Sequence, residues 1–384
     1  MKEASIEAET GNEAASLVGR ARRLTIKVGS SLLIDGAGEG VRREWLASLA
    51  ADVAALRQEG KQVVLVSSGA VALGRCYLQL KRSHRLSAKQ AAAAAGQPRL
   101  MTAWEQALGV FGIPTAQLLL TVADTESRRR WLNARATMEV LLAERALPII
   151  NENDSVATDE LRYGDNDRLS ARVAQMTRSD VLILLSDVDG LYTGDPAKNP
   201  NAEHVPFLHA ITEQVEALAG GAASAGVGTG GMATKIAAAR IARGFGCATI
   251  IAAGQEEHPL QRLAMGARST VVAASGSPAS AYKQWIAGTL APAGSVAVDA
   301  GAVTALAAGK SLLPAGAVTV NGEFEKGACV RILDPVGREV ARGLAAYSAA
   351  ESRAICGFSS ASIPERLGYC GPDELIHRDD LVLM

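Results

Sequence analysis

From Leu24 onward, short runs of β-branched and aliphatic residues alternate with longer amphipathic stretches, and this alternation restricts the fold more than any other feature of the chain. A strand, a helix and a second strand in succession return the chain to one sheet in parallel, so repeated alternation predicts an α/β protein with a mostly parallel sheet between helical layers. The predicted strands are 24–28, 62–67, 115–120, 147–150, 181–185 and 248–252, with helices over 42–58, 97–108, 133–144, 167–176 and 233–243. The alanine run 91–95 needs no special role, since alanine is the best helix former.

Residues 1–22 are polar and small, with too few apolar side chains to offset the entropy of ordering, and read as a flexible N-terminal tail. Residues 23–290 are then expected to form the main α/β domain. Near 291–294 the character changes to short alternating segments punctuated by glycine (295–298, 317–320, 329–333, 339–344), which predicts a small separate β-rich domain over 291–384.

Composition narrows the function classes. With 48% hydrophobic and 21% charged residues, disorder and fibrous structure are not expected. Lys+Arg 39 against Asp+Glu 40 leaves a net charge of −1, so no whole-chain field favours nucleic acid or a membrane surface. No apolar run reaches the roughly 18 residues needed to span a bilayer, and the acidic N-terminus is unlike a signal peptide, so a cytoplasmic location is expected. The cysteines Cys76, Cys247, Cys329, Cys356 and Cys370 are odd in number and form no C-x-x-C pair. Most therefore read as reduced core thiols, with neither a disulfide framework nor a zinc site expected. Any metal would be a hard cation held by oxygens.

In open parallel sheets ligands bind beyond the carboxyl ends of the strands. Here those ends read Lys27-Val28-Gly29-Ser30-Ser31, Ser67-Ser68-Gly69-Ala70, Asn151-Glu152-Asn153-Asp154 and Ser186-Asp187-Val188-Asp189-Gly190. Glycine after a strand lets backbone N–H groups approach phosphate oxygens, and the dipole of a following helix adds to the attraction. One Gly-Ser turn alone would be only a tight βα connection; two of them beside Lys27 point to phosphate.

A second phosphate signal is Gly226-Val227-Gly228-Thr229-Gly230-Gly231-Met232-Ala233-Thr234-Lys235. It is not a Walker A sequence, and its formal G-x-G-x-x-G match has neither a convincing preceding strand nor the acidic residue expected about 20 residues later. Lys235 argues against a mere flexible loop, because a cation at a helix N-terminus opposes the dipole unless an anion lies between. Asn151, Asn153, Asp154, Asp165, Asn166 and Asp167 gather polar and acidic groups before the next helix, suited to gripping an ammonium group, orienting lysines or holding Mg²⁺. One of these acids is explained by capping, the rest are not. Arg128-Arg129-Arg130 reads as a solvated helix face, and Trp104 and Trp131 as helix packing.

Taken together and in this order, these motifs resemble the amino acid kinase family, and within it the members that act on L-glutamate. Residues from about 292, including Val298-Asp299-Ala300-Gly301 and Ser311-Leu312-Leu313-Pro314-Ala315-Gly316, resemble a PUA domain. The resemblance implies a three-layer αβα sandwich that transfers the γ-phosphoryl of ATP to the side-chain carboxylate of glutamate, giving γ-glutamyl 5-phosphate in the first step of proline biosynthesis. It further implies Lys27, Lys235 and Asp167 as the catalytic set; Ser68, Gly69, Asn151, Asp154 and Asn166 as acceptor-binding; and Lys27, Gly29, Ser186, Asp187 and Thr229, Gly230, Gly231, Met232, Ala233, Thr234 and Lys235 as nucleotide-binding.

Mg²⁺ would be carried mainly on the ATP phosphates. Feedback inhibition by proline, assembly as a homodimer or homotetramer, and transient contact with glutamate-5-phosphate reductase are implied in the same way. Val28, Ser30 and Ser186 stand where relatives carry Leu, Thr and Thr; Ser186 keeps the hydroxyl. Two alternatives are another acceptor on the same fold (N-acetylglutamate, aspartate, carbamate or a nucleotide) and RNA binding through the PUA-like domain. The long 151–167 loop favours glutamate. The dilute basic residues after Gly294 disfavour RNA.

Overall fold

The computed structural model describes residues 13–35, 40–81, 85–156, 166–196, 198–220, 231–288 and 291–384. The chain divides into two compact units, one of Met1–Glu126 with Asn133–Pro278 and the other of Ser127–Leu132 with Ala279–Met384.

The first unit is built on strands β1 (Arg23–Val28), β2 (Gln62–Ser67), β3 (Thr115–Leu120), β4 (Leu147–Glu152) and β5 (Val181–Ser186). After them come a small antiparallel pair, β6 (Leu191–Tyr192) with β7 (His204–Val205), and then β8 (Phe207–Leu208), β9 (Ala248–Ala253) and β10 (Ser269–Val272). The eight-stranded sheet has the order β3-β4-β2-β1-β5-β9-β10-β8. From β3 to β9 it is parallel, with Val28 beside both Ser67 and Leu185, so the carboxyl ends of β1, β2 and β5 share one edge. The predicted strands all form. Missing from the prediction are β8, β10 and the β6/β7 pair, whose two to four residues carry too little periodicity to read; β10 also runs antiparallel to β9.

Successive strand residues face opposite sides of a sheet, and β5 shows both sides covered. Ile183 and Leu185 join one core with Trp45, Leu49, Leu100 and Trp104 from helices Arg43–Gln58 and Leu86–Gly109. Leu182 and Leu184 join another with Ala171, Ala174, Ala238 and Ala239 from helices Asn166–Met176 and Met232–Gly244. This is the expected αβα sandwich, and burial on both faces explains why these strands read as unbroken apolar runs.

Helix Leu86–Gly109 extends 11 residues before the predicted start at 97 and passes through Pro98. The proline has no N–H to offer the Ala94 carbonyl, and Ala94 is an exposed residue. The helix crosses Ala70–Tyr77 backbone to backbone. A Cβ on Gly96 would lie 1.8 Å from the Ala70 oxygen, and one on Gly74 would lie 1.7 Å from the Ala92 oxygen.

The tail does not reach residue 22. Residues 13–20 are helical, and Ala14, Val18 and Ala21 are buried in the first core. Their i, i+4, i+7 spacing forms one narrow apolar stripe, easily missed among the surrounding polar residues. Among the described residues, no helix is long and apolar enough to cross a membrane.

The second unit carries a five-stranded sheet of β11 (Gly294–Val298), β12 (Ala317–Gly322), β13 (Cys329–Leu333), β14 (Glu339–Leu344) and β15 (Leu381–Leu383), in the order β12-β11-β13-β14-β15. Its separate core includes Val296, Val330, Ile332, Ala341, Tyr347 and Ile355. Two expectations are corrected. Arg129 and Arg130 are exposed, but Arg128 is half-buried in this unit, where desolvation lowers its pKa; beside it Trp131 stacks on Tyr282 with ring centroids 6.2 Å apart. The cysteines are not mostly core thiols either, for only Cys247 and Cys329 are buried, while Cys76 and Cys370 are exposed. Burial without a counter-ion pushes the Cys247 thiol far up.

Candidate active site

At the end of β1 the Lys27 side chain meets the first turn of helix Asn166–Met176. Lys27 Nζ lies 2.5 Å from Asp167 Oδ1, and Lys235 Nζ lies 3.3 Å from Asp167 Oδ2. Thr234 Oγ1 donates to the same Oδ2 at 2.8 Å. The three charged residues are 6%, 1% and 2% exposed for Lys27, Asp167 and Lys235. Burial alone would raise the Asp167 carboxyl, but the ammonium groups of Lys27 and Lys235, with hydrogen bonds from Lys27 and Thr234, outweigh it and hold the group below the usual carboxylate range.

Lys235 stands at the N-terminal turn of Met232–Gly244, where a cation is disfavoured. The anion this position demanded is the Asp167 carboxylate. Two ammonium groups around one carboxylate still leave an excess of positive charge in a desolvated place, which an incoming phosphate would neutralise.

Gly29 follows one residue after β1 with an ordinary extended backbone (φ −73°, ψ 153°), so its value is space rather than conformation. A Cβ there would lie 3.8 Å from Lys27 Nζ and 3.9 Å from the Leu185 oxygen, covering the ammonium. Ser186, at the end of β5, is buried and donates to Asp187 Oδ1 at 2.9 Å, while Asp187 itself is exposed. Gly231 precedes helix Met232–Gly244 with no side-chain cap, and Met232, Ala233 and Thr234 are half-buried in its first turn. Thr229 and Gly230 lie outside the described residues, as does Asp165.

Beside this cluster lies a chain of amides. Asn166 Nδ2 donates to Ser68 Oγ at 2.8 Å and to Asn151 Oδ1 at 3.3 Å. Asn151 Oδ1 also accepts from the Glu152 N–H at 2.9 Å, and Asn151 Nδ2 donates to Gln97 Oε1 at 2.8 Å. Gly69, between Ser68 and helix Ala70–Tyr77, has φ 115°, a left-handed conformation that favours glycine. Asp154 is half-buried; desolvation, offset only partly by Lys89, raises its carboxyl to about 6.

The structure thus brings Lys27, Gly29, Asp167, Thr234 and Lys235 into one cluster and Ser68, Asn151 and Asn166 into a second, joined where Asn166 precedes Asp167. Gln97 belongs to the second cluster and was not singled out from the sequence. Its one signal was the neighbouring Gly96, a helix-interior glycine, which at about 1 kcal/mol against alanine calls for a packing reason. Gln97 Nε2 and Asn166 Oδ1 are buried without a partner among the described residues. Each such group costs about 1–3 kcal/mol.

Both Asp167 oxygens are engaged, and among the described residues no group of three His, Cys, Asp or Glu could hold a metal ion. Asp167, its two oxygens held by Lys27 and Lys235, is committed to the lysines rather than to a metal.

The model of the amino acid kinase family matches residues 22–253. The chain belongs to the amino acid kinase family. A PUA domain model matches residues 294–367. Over 366 residues, 94% of this chain and 97% of the relative, this amino acid kinase is 58% identical to the glutamate 5-kinase of Caulobacter vibrioides. It is 54% identical over 363 residues to glutamate 5-kinases of Paramagnetospirillum magneticum and Brucella ovis, again over 94% of this chain and over 98% and 96% of theirs.

Proposed function

We propose that this amino acid kinase transfers the γ-phosphoryl group of ATP to the side-chain carboxylate of L-glutamate, forming γ-glutamyl 5-phosphate, the first step of proline biosynthesis. The observation that carries the reading is the junction at Asn166-Asp167, where one helix N-terminus holds two buried lysines on one side and a chain of neutral amides on the other. The names and high identity of the relatives support the acceptor.

An acceptor carboxylate is ionised at neutral pH, so no general base is required to activate it. One carboxylate oxygen forms a bond to the γ-phosphorus as the bond to the bridging oxygen of ADP breaks. Charge spreads over the transferring phosphoryl group during this in-line step. Lys27 and Lys235 answer that charge from fixed, desolvated positions, and Asp167 holds the two ammonium groups in place without itself moving a proton. Gly29, Ser186, Asp187 and the 229–235 segment would cradle the nucleotide; Ser68, Gly69, Asn151, Asp154 and Asn166 would hold glutamate. Mg²⁺ on the ATP phosphates supplies further charge neutralisation when bound.

The same reading includes a cytoplasmic enzyme, homo-oligomeric, inhibited by proline at a site overlapping that of glutamate, and passing its labile product to a reductase. In the second unit Arg338, Arg342 and Arg353 each pair with a carboxylate (Asp334, Glu339, Glu323), which supports a regulatory or structural role there over RNA binding.

The test is Mg-ATP turnover against L-glutamate, N-acetyl-L-glutamate, L-aspartate, carbamate and UMP, with hydroxylamine trapping acyl phosphates and ADP release detecting any transfer. Glutamate-selective hydroxamate formation, suppressed by proline, is expected. Turnover with another acceptor alone would overturn the substrate assignment.

A further inference from the structure

The amide chain beside the lysine cluster has a fixed polarity. A backbone N–H can only donate, so the Glu152 N–H identifies the atom of Asn151 that receives it as Oδ1. Asn151 Nδ2 must then point at Gln97, and the atom of Gln97 that meets it must be the acceptor Oε1. That leaves Gln97 Nε2, a donor, turned away from the chain. At the other end Asn166 Nδ2 is spent on Asn151 Oδ1 and Ser68 Oγ, which leaves Asn166 Oδ1, an acceptor, turned away. Flipping any one amide would set two donors or two acceptors face to face. Both leftover atoms are buried and have no partner among the described residues, and Asn166 is 6% exposed.

Gln97 is held where it stands. Gly96 touches the backbone of Ala70 and Gly74, where a Cβ would meet atoms at 1.8 and 2.5 Å. Two turns on, Trp104 Nε1 donates to Ser67 Oγ at 2.9 Å, tying the same helix to the end of β2. With the backbone so fixed and Oε1 held by Asn151 Nδ2, Nε2 faces away from the chain.

One buried donor and one buried acceptor, bridged by Asn151, complement the carboxylate and ammonium of an α-amino acid. We infer that Gln97 is a glutamate-binding residue, its Nε2 donating to the α-carboxylate while Asn166 Oδ1 receives the α-ammonium. This rests on glutamate being the acceptor. The α-carboxylate, not the reacting one, is assigned to Gln97 because Asn166 adjoins Asp167 and its lysines, whereas Gln97 is two hydrogen bonds further along the chain. Gln97 thereby reads the end of the substrate that does not react.

The experiment compares two acceptors on the full-length enzyme. L-Glutamate and 4-aminobutyrate share the amine and the reacting carboxylate, and only glutamate has the α-carboxylate; 4-aminobutyrate is assayed as substrate and as competitor of glutamate. Wild-type turnover of glutamate is established first, and its absence would reject the acceptor assignment before Gln97 is touched. Gln97→Met should then lower kcat/KM for glutamate by about 10- to 100-fold, the size of a lost hydrogen bond to a charged group, with KM for ATP unchanged and a clearly smaller loss on 4-aminobutyrate, which comes from the acceptor withdrawn from Asn151 Nδ2. Gln97→Glu keeps the acceptor toward Asn151 and removes the donor, so it should lose more on glutamate and nothing on 4-aminobutyrate. Equal losses on both acceptors would make Gln97 a structural residue, and no loss on glutamate would remove it from the site; either result overturns the inference.

Discussion

Asn166 and Asp167 are consecutive in the chain, yet the first bonds to Ser68 and Asn151 while the second lies between Lys27 and Lys235. Adjacent Cα atoms are about 3.8 Å apart, so under the proposed reaction the groups that bind the acceptor and those that answer the phosphoryl charge hang from neighbouring Cα atoms. A shift of this helix N-terminus would misplace acceptor and phosphoryl group together.

Lys27→Ala and Lys235→Ala should each lower kcat by about 10²–10³, the scale on which one preorganised charge-stabilising donor acts. The fold should survive, because Asp167 keeps the other ammonium group and the Thr234 hydroxyl. Steady-state kinetics beside thermal melts check both halves; near-normal turnover in either variant would remove that lysine from the catalytic set.

Asp167→Asn leaves two buried ammonium groups without their carboxylate, and should destabilise the protein by about 3–5 kcal/mol at neutral pH. Because the folded-state pKa is depressed, the stabilisation is fully present above the ordinary carboxylate range and is lost as pH falls through the folded value. Urea unfolding at pH 7 and at progressively acid pH should therefore show wild type and variant converging as the solution becomes more acidic.

The Asp154 carboxyl, raised to about 6 by desolvation, must be ionised to hold an ammonium group. For the free protein the sign is the reverse of the Asp167 case. Its stabilising contribution is present below the ordinary aspartate pKa and disappears as pH rises through about 6. In the reaction, kcat/KM for glutamate should climb with pH through about 6 while KM for ATP stays flat, and Asp154→Asn should abolish the climb. A profile unchanged by the substitution would detach Asp154 from the acceptor.

Gly96→Ala sets a methyl group into the Ala70 carbonyl and must part the helices Ala70–Tyr77 and Leu86–Gly109. Overpacking of this kind costs about 1–3 kcal/mol, and Gln97 would move with its helix, so KM for glutamate should rise. Gly109→Ala on the same helix meets nothing within 4 Å and serves as the control. Denaturant midpoints for the pair give the comparison.

Val18→Asp tests the N-terminal helix. It would bury a carboxylate at a position that is 4% exposed, and should lower the unfolding midpoint of the enzyme. An unchanged midpoint would mean that residues 13–20 contribute little to the core they touch.

The amino-acid sequence by itself determined the alternation of strands and helices, the rim of strand ends carrying Lys27, Ser68, Asn151 and Ser186, and the separate β-rich segment after 291. These are local properties, written in the two- and 3.6-residue periods and in the glycine and hydroxyl residues that follow each strand. Lys235 was legible for a physical reason too, since a cation at a helix N-terminus calls for an anion beside it.

What only the tertiary structure decided was which groups face one another. The family resemblance had put Asp167 with Lys27 and Lys235; that one carboxylate takes both ammonium groups depends on where β1 and the helix Met232–Gly244 meet. The partner of Gln97 could not be read from the chain, because Gln97 lies 54 positions before Asn151, and its one local signal is the neighbouring Gly96. Its place follows from two glycines that let backbones touch, and its polarity from one N–H of Glu152. Long-range hydrogen bonds have no period along the chain; they exist only once the fold has brought their partners together.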